Sequence, residues 1–218
     1  AATGMAVEAR LLRAAATAGV AVPAIALAEG DPGTEAVDLG GPWLIAERIE
    51  GETIARRILR DPDLEAARQG LAAQCGAALA AVHRIPLSEA EGLDESDPVE
   101  QYRSILDQLG QPHPVFEVAL RWLAANRPEF GDVTVVHGDF RNGNLVVGPD
   151  GLRAVLDWEL SHRGDPIEDL GWLCVRAWRF GSPLPVGGFG TKDDLLAAYE
   201  ACLLYTSPSP RDRTRSRM

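Results

Sequence analysis

The chain of 218 residues, 46% hydrophobic and 24% charged, is long enough to bury one sizeable core or two small lobes. Its net charge of −11 disfavours nucleic acid and anionic membrane as partners, because both call for clustered Lys and Arg facing phosphate. No apolar run reaches transmembrane length and no basic-then-apolar leader opens the chain, so the cytoplasm is the default location; Cys75, Cys174 and Cys202 lack any Cys-x-x-Cys spacing and read as buried, reduced thiols.

In chain order, Val7, Leu11, Leu12 and Ala15 recur at helical spacing up to Gly19 and Pro23, which predicts an opening amphipathic helix. Residues 23–28 and 43–49 read as strands around a loop rich in Gly, Pro and Asp. A long helix is expected after Asp61-Pro62, with Leu64, Leu71, Cys75, Leu79 and Val82 on one face and Arg68 and Gln74 off it; His83 at its end reads as a capping or packing residue. Asp97-Pro98-Val99-Glu100 and Asp165-Pro166-Ile167-Glu168 each combine a capping Asp, a first-turn Pro and a Glu, a helix-start pattern that Thr191 with Asp194 repeats in part. Between them, residues 132–136 form a short β-branched strand. Apolar runs at 145–147 and 152–156, split by Gly148-Pro149-Asp150-Gly151, form a hairpin. Helix, strands, helices, hairpin and helices without internal repeat predict an α+β fold with segregated layers. Residues 206–218 switch to Ser, Pro and Arg without apolar periodicity and read as a non-native or disordered tail.

The chemistry concentrates in His137-Gly138-Asp139-Phe140-Arg141-Asn142-Gly143-Asn144 and Leu156-Asp157-Trp158-Glu159. In a kinase site, a loop Asp accepts the substrate hydroxyl proton, an Asn five residues later holds magnesium, and an Asp on the next loop holds it again. Asp139, Asn144 and Asp157 have that spacing, and the hairpin returns the chain so that Asn144 and Asp157 share one hard cation. Arg141 stands where a cation reaches the transferred phosphate, with a solvent-exposed Arg as the equal alternative. Glu159 either extends the magnesium site or faces solvent. Asp165 reads as an N-cap, Asp169 as a helix residue bonding the catalytic-loop backbone, and Trp158, Trp172, Trp178 and Phe180 as core.

These motifs resemble the aminoglycoside phosphotransferase and choline kinase-like family, whose members share the protein-kinase-like fold and phosphorylate small molecules. Gly138, where protein kinases carry Arg, favours that branch. The run Gly164-Asp165-Pro166-Ile167-Glu168-Asp169-Leu170 is similar to the family's sequence after the magnesium Asp, and residues 42–51 are similar to its hinge strand. Trp178-Arg179-Phe180-Gly181 with residues 185–190 resembles a bacterial subgroup related to the kinase domains fused to acyl-CoA dehydrogenases. The resemblance implies a two-lobe molecule: residues 1–51 as the remnant of a truncated nucleotide-binding β lobe and hinge, and residues 52–205 as a mainly helical lobe with the catalytic and metal loops. It implies that Glu8 pairs with the nucleotide-positioning Lys, that Glu47, Arg48 and Ile49 flank the adenine, and that His137 is architectural. Neither the Gly-rich loop nor that Lys precedes Ala1, so the chain reads as a fragment expected to be inactive alone. The implied activity is transfer of the γ-phosphate of ATP, with Mg²⁺, to a hydroxyl of a small acceptor. A metabolic alcohol such as a hydroxyacyl compound is favoured slightly over an antibiotic. A metal-dependent phosphoesterase with His137, Asp139 and Asp157 as ligands, and an inactive nucleotide-binding pseudokinase, are the alternatives.

Overall fold

The computed structural model describes residues 4–35, 37–95, 97–127 and 132–204; the predicted tail at 206–218 lies outside them. Helix α1 (Met5–Thr17) buries Ala9, Leu11, Leu12 and Ala15 on one face. It closes by two bonds, Gly19 N–H to Ala16 O at 3.1 Å and Val20 N–H to Ala15 O at 2.9 Å, and the positive φ of Gly19 (90°) lets the chain turn there. Strand β1 (Ile25–Ala28) then pairs antiparallel with β2 (Leu44–Ala46), Ile25 opposite Ala46 and Ala28 opposite Leu44. Both strands are shorter than predicted, because after the bond from Glu47 N–H to Ala24 O (2.8 Å) the chain leaves the ladder. It runs without a helix or named strand until Glu52, which exchanges two backbone bonds with Val147 (2.8 and 3.0 Å).

The short α2 (Ala55–Arg60) and a 3₁₀ turn at Pro62–Leu64 lead into α3 (Glu65–Val82). Leu64, Leu71, Cys75, Leu79 and Val82 are all buried, as their spacing predicts, and Gln74 is exposed. Helices α4 (Pro98–Leu109), started by Asp97 accepting from Val99 and Glu100 N–H, and α5 (Pro114–Ala125) follow. Strand β3 (Thr134–Val136) leads into the loop at 137–144, and β4 (Leu145–Gly148) with β5 (Gly151–Val155) forms the predicted hairpin. The sequence reading missed β6 (His162–Gly164), which pairs antiparallel with β3; His-Arg-Gly has no apolar alternation to announce a strand. Helix α6 (Ile167–Leu173), a 3₁₀ turn at Arg176–Arg179, and α7 (Lys192–Leu204) complete the chain. The α7 start has the expected reciprocal cap, with Asp194 N–H on Thr191 Oγ1 (3.2 Å) and Thr191 Oγ1–H on Asp194 Oδ2 (2.6 Å).

One hydrophobic cluster joins α1, α3, the hairpin and α7 through Leu11, Leu71, Leu79, Leu145, Val155 and Leu195, so the α+β class expected from the element order is the one observed. Among the described residues no helix is long and apolar enough to cross a membrane. Gly76 marks the closest approach of α3 to α7: a methyl group there would lie 2.3 Å from Leu195 O, a backbone atom that cannot swing aside. Gly76→Ala is therefore expected to overpack the contact and destabilise the fold by about 1–3 kcal/mol, read from the shift in its denaturant midpoint.

Candidate active site

β3 ends in His137, and the backbone beyond it is gripped from α6. Asp169, itself fully buried, accepts from His137 N–H at 2.8 Å on Oδ2 and from Gly138 N–H at 3.0 Å on Oδ1. Oδ2 also faces His83 Nε2 at 3.1 Å, and His83 Nδ1 faces the Tyr199 hydroxyl at 2.8 Å, so a buried chain of polar groups ties the loop to the end of α3 and to α7. Burial opposes ionisation of Asp169, but the hydrogen bonds from His83 and from His137 N–H outweigh it and hold the carboxyl below its ordinary pKa. Burial and the charges of Asp169 and Asp165 push the Tyr199 phenol up to about 12, which keeps it protonated as a donor to His83 Nδ1. Asp169 thus bonds the loop backbone as its sequence position suggested, whereas His83 is more than a capping or packing residue.

Gly138 has φ +82°, and a Cβ there would sit 2.4 Å from Leu160 O. Both facts require glycine at the residue before Asp139. Gly138→Ala should cost about 1–3 kcal/mol of stability from backbone strain, measured by calorimetry. The His137 ring lies fully buried, its Nε2 3.1 Å from Leu156 O and its Nδ1 accepting from Asp139 N–H at 3.2 Å. One neutral tautomer, protonated at Nε2, satisfies both contacts, and burial lowers the pKa of the ring.

The Asp139 carboxylate, 8% exposed, is held on every side. Trp172 Nε1–H donates to Oδ1 at 2.7 Å, Asn144 Nδ2 donates to Oδ2 at 2.7 Å, and Arg141 Nε lies 3.0 and 2.9 Å from the two oxygens. Asn144 also donates to the main-chain oxygen of Asp139 (3.1 Å), and the Arg141 guanidinium lies over the Trp178 ring, 4.6 Å from its centroid. Trp178 in turn meets Trp172 edge-on at 5.6 Å. Asn142, fully buried, ties the loop to the 186–190 turn through Gly187 O at 2.7 Å.

The hairpin closes behind Asn144: Leu156 N–H bonds Asn144 O at 2.8 Å, which sets Asp157 next to the Asn144 strand end. Asp157 is exposed and adopts φ +68°, an uncommon conformation for a residue with a side chain. Glu8 reaches this corner from α1. Burial first, then the charges of Asp157 and Glu159, raise its pKa against a hydrogen bond from Trp158 N–H, and Glu8 Oε2 is buried with no hydrogen-bond partner among the described residues. Glu159 is exposed.

The sequence-predicted residues therefore fall into three groups. Asp139, Arg141 and Asn144 touch; Asp157 and Glu8 meet at the hairpin base; Glu47, Arg48 and Ile49 lie on the extended stretch after β2, where Arg48 and Glu50 form an exposed ion pair at 3.4 Å. Asp165 accepts from Ile167 N–H at 2.9 Å and caps α6. The tryptophan expectation needs correction: only Trp158 is core, whereas Trp172, Trp178 and Phe180 are half-buried, and the first two surround the Asp139–Arg141 pair. The overlooked signal is helical spacing. Trp172 follows Asp169 by three residues, so on α6 it faces the same loop that Asp169 grips. The thiols also differ from expectation, since Cys75 is buried but Cys174 and Cys202 are only half-buried.

The Phosphotransferase enzyme family, APH, matches residues 1–205. The chain is 31% identical over 202 residues to acyl-CoA dehydrogenase family member 10 of Mus musculus, covering 85% of this chain, and 43% identical over 63 residues to acyl-CoA dehydrogenase family member 11 of Homo sapiens, covering 28%. It spans only 18% and 8% of those proteins' own lengths. Among solved structures, macrolide 2'-phosphotransferase MphH from Brachybacterium faecium aligns with TM-score 0.54 and 23% identity over 94% of this chain and 66% of that one. The GDP complex of aminoglycoside 2'-phosphotransferase-IIIa aligns with TM-score 0.61 and 15% identity over 89% and 65%. With a match that runs through both the 137–144 loop and the hairpin, the chain belongs to the APH phosphotransferase family and has its protein-kinase-like fold.

Proposed function

We propose that the protein transfers the γ-phosphoryl group of ATP to a hydroxyl of a small molecule, with Asp139 as the base. The observation that carries this reading is the state of the Asp139 carboxylate. Its four acceptor directions are filled by Trp172, Asn144 and the shared Arg141 N–H, so an acceptor hydroxyl must take the place of one of them. Asn144 is pinned by its second bond to the Asp139 main chain and Trp172 by α6, whereas Arg141 stands on a long flexible stem that is 24% exposed. Arg141 is the partner that leaves. Once free, its guanidinium is suited to pair with oxygens of the transferring phosphoryl group. Asp139 then accepts the hydroxyl hydrogen bond, orients the attacking oxygen and takes its proton late in transfer.

Asn144 spends its amide hydrogens on Asp139, which leaves its Oδ1 to act as a donor to a cation, and the exposed Asp157 follows Leu156, whose N–H bonds Asn144 O. One amide and one carboxylate oxygen are the hard donors that magnesium takes when phosphates and waters complete its shell, and these two residues would hold it. When bound, the ion would supply neutralisation of charge growing on the phosphate oxygens. Backbone groups at Glu47, Arg48 and Ile49 are assigned to the adenine, and the unpartnered buried oxygen of Glu8 to the nucleotide-positioning Lys. A phosphoesterase that uses His137 as a metal ligand is disfavoured, because both ring nitrogens already have protein partners.

Relatives named as acyl-CoA dehydrogenase family members favour a metabolic alcohol, such as a hydroxyacyl compound, over an antibiotic as acceptor. The test is ATP consumption by the gene-encoded protein against a panel of hydroxyacyl compounds, amino alcohols, sugars and aminoglycosides. Acceptor-dependent ADP release is expected; hydrolysis of phosphate esters without any need for ATP would overturn the assignment.

A further inference from the structure

We propose that Trp172 is a positioning residue for Asp139, its indole N–H fixing the carboxylate in the orientation that receives the acceptor hydroxyl; this rests on the phosphotransfer reading above. The bond from Nε1 to Oδ1 is 2.7 Å, as short as that from Asn144 to Oδ2. An indole N–H donates and never accepts, so it orients the carboxylate without competing for the proton that Asp139 must take up. Trp172 shares α6 with Asp169, whose carboxylate holds the backbone N–H groups of His137 and Gly138. A single helix therefore sets both the main chain entering Asp139 and the plane of its side chain. The ring is braced in turn by Trp178, which carries the Arg141 guanidinium on its own face.

Without the indole donor, Oδ1 keeps only its shared contact with Arg141, and the carboxylate can rock about its broad terminal torsion with Asn144 on Oδ2 as the pivot. Acceptor hydroxyl and Arg141 then compete for a base that no longer points one way. Trp172→Phe, which keeps an aromatic ring against Trp178 and removes only the donor, is expected to lower kcat by about 10- to 100-fold, the scale of a misplaced reacting group, with KM for ATP unchanged. In an Asp139→Asn background the same substitution should cost nothing further, because the carboxylate it orients is gone; a merely structural Trp172 would give the same loss in both backgrounds.

A second readout does not need turnover. The indole ¹H–¹⁵N resonance of Trp172, identified by its disappearance in Trp172→Phe, should shift in Asp139→Ala. The proposal is overturned if that resonance stays in place, if Trp172→Phe turns over like the parent protein, or if its effect is undiminished in Asp139→Asn. If the unaltered protein consumes ATP with no acceptor of the panel, the phosphotransfer reading falls and this inference falls with it. Turnover by the unaltered protein with an equally active Trp172→Phe removes the inference alone.

Discussion

Asp139→Ala should lower kcat by at least the roughly 10² to 10⁴-fold that a positioned general base contributes, while nucleotide affinity stays within error of the unaltered protein. The two effects separate because Asn144, assigned to the metal, loses one bond with the Asp139 side chain but keeps its main-chain anchors. Asn144 keeps its bond to the Asp139 main-chain oxygen when the carboxylate is removed, and Leu156 N–H still holds Asn144 O, so the hairpin base retains its shape. Arg141, released from its partner, gains freedom toward phosphate, which offsets nothing in proton transfer. Steady-state turnover and calorimetric nucleotide binding, measured on the same preparation, decide the matter. Parallel loss of both would point to a damaged loop, and turnover near that of the parent would remove Asp139 from the role of base.

Asp169→Ala is the substitution expected to damage the fold most. It strands the N–H groups of His137 and Gly138 and breaks the link to His83 in a site that water does not reach. Removing one partner of a buried charged network costs about 3–5 kcal/mol, and for a chain of this size each kcal/mol shifts Tm by roughly 2–4 °C. A fall of about 6–20 °C in the melting temperature follows. The pH dependence has a definite sign. The folded-state pKa of Asp169 is depressed, so its stabilising contribution is present above the ordinary Asp value near 3.8 and is lost as pH falls below that value through the folded pKa. Acid denaturation of the parent should therefore have a component that Asp169→Ala lacks, which a series of melting curves from neutral pH down to pH 2 will display.

Much of this geometry is visible in the order of residues before any coordinates. The hairpin was legible because Gly148-Pro149-Asp150-Gly151 separates two short apolar runs, and β4 and β5 are joined by that turn. The buried face of α3 was legible because Leu64, Leu71, Cys75, Leu79 and Val82 repeat with the period of a helix, and all five are buried. Contacts made by polar side chains across the chain were not. His83 and Asp169 are 86 positions apart, and His83 and Tyr199 are 116 apart; no local pattern encodes a pairing that exists only after α3, α6 and α7 have packed. The tryptophans show a different limit. Large aromatic residues are usually placed inside by their size, but Trp172 has a polar edge as well, and an indole at a half-buried position spends that edge on whatever acceptor is near. The length of β2 was not legible for a third reason: Glu47, Arg48 and Ile49 continue the sequence pattern past Ala46, but the ladder ends with the bond from Glu47 N–H to Ala24 O, and composition does not mark where a partner stops.

The Glu52–Val147 bridge gives the stretch after β2 a mechanical meaning. It stitches the ribbon that leaves the first sheet to the outer edge of the hairpin whose base bears Asn144 and Asp157. Anything that pulled on residues 47–51 would be felt along the hairpin that carries Asn144 and Asp157, as tension on one end of a seam reaches the other. Swivelling of the small sheet against the helices would accordingly carry the hairpin along with it, so that the assigned adenine end and the assigned phosphate end travel as a unit rather than drifting apart.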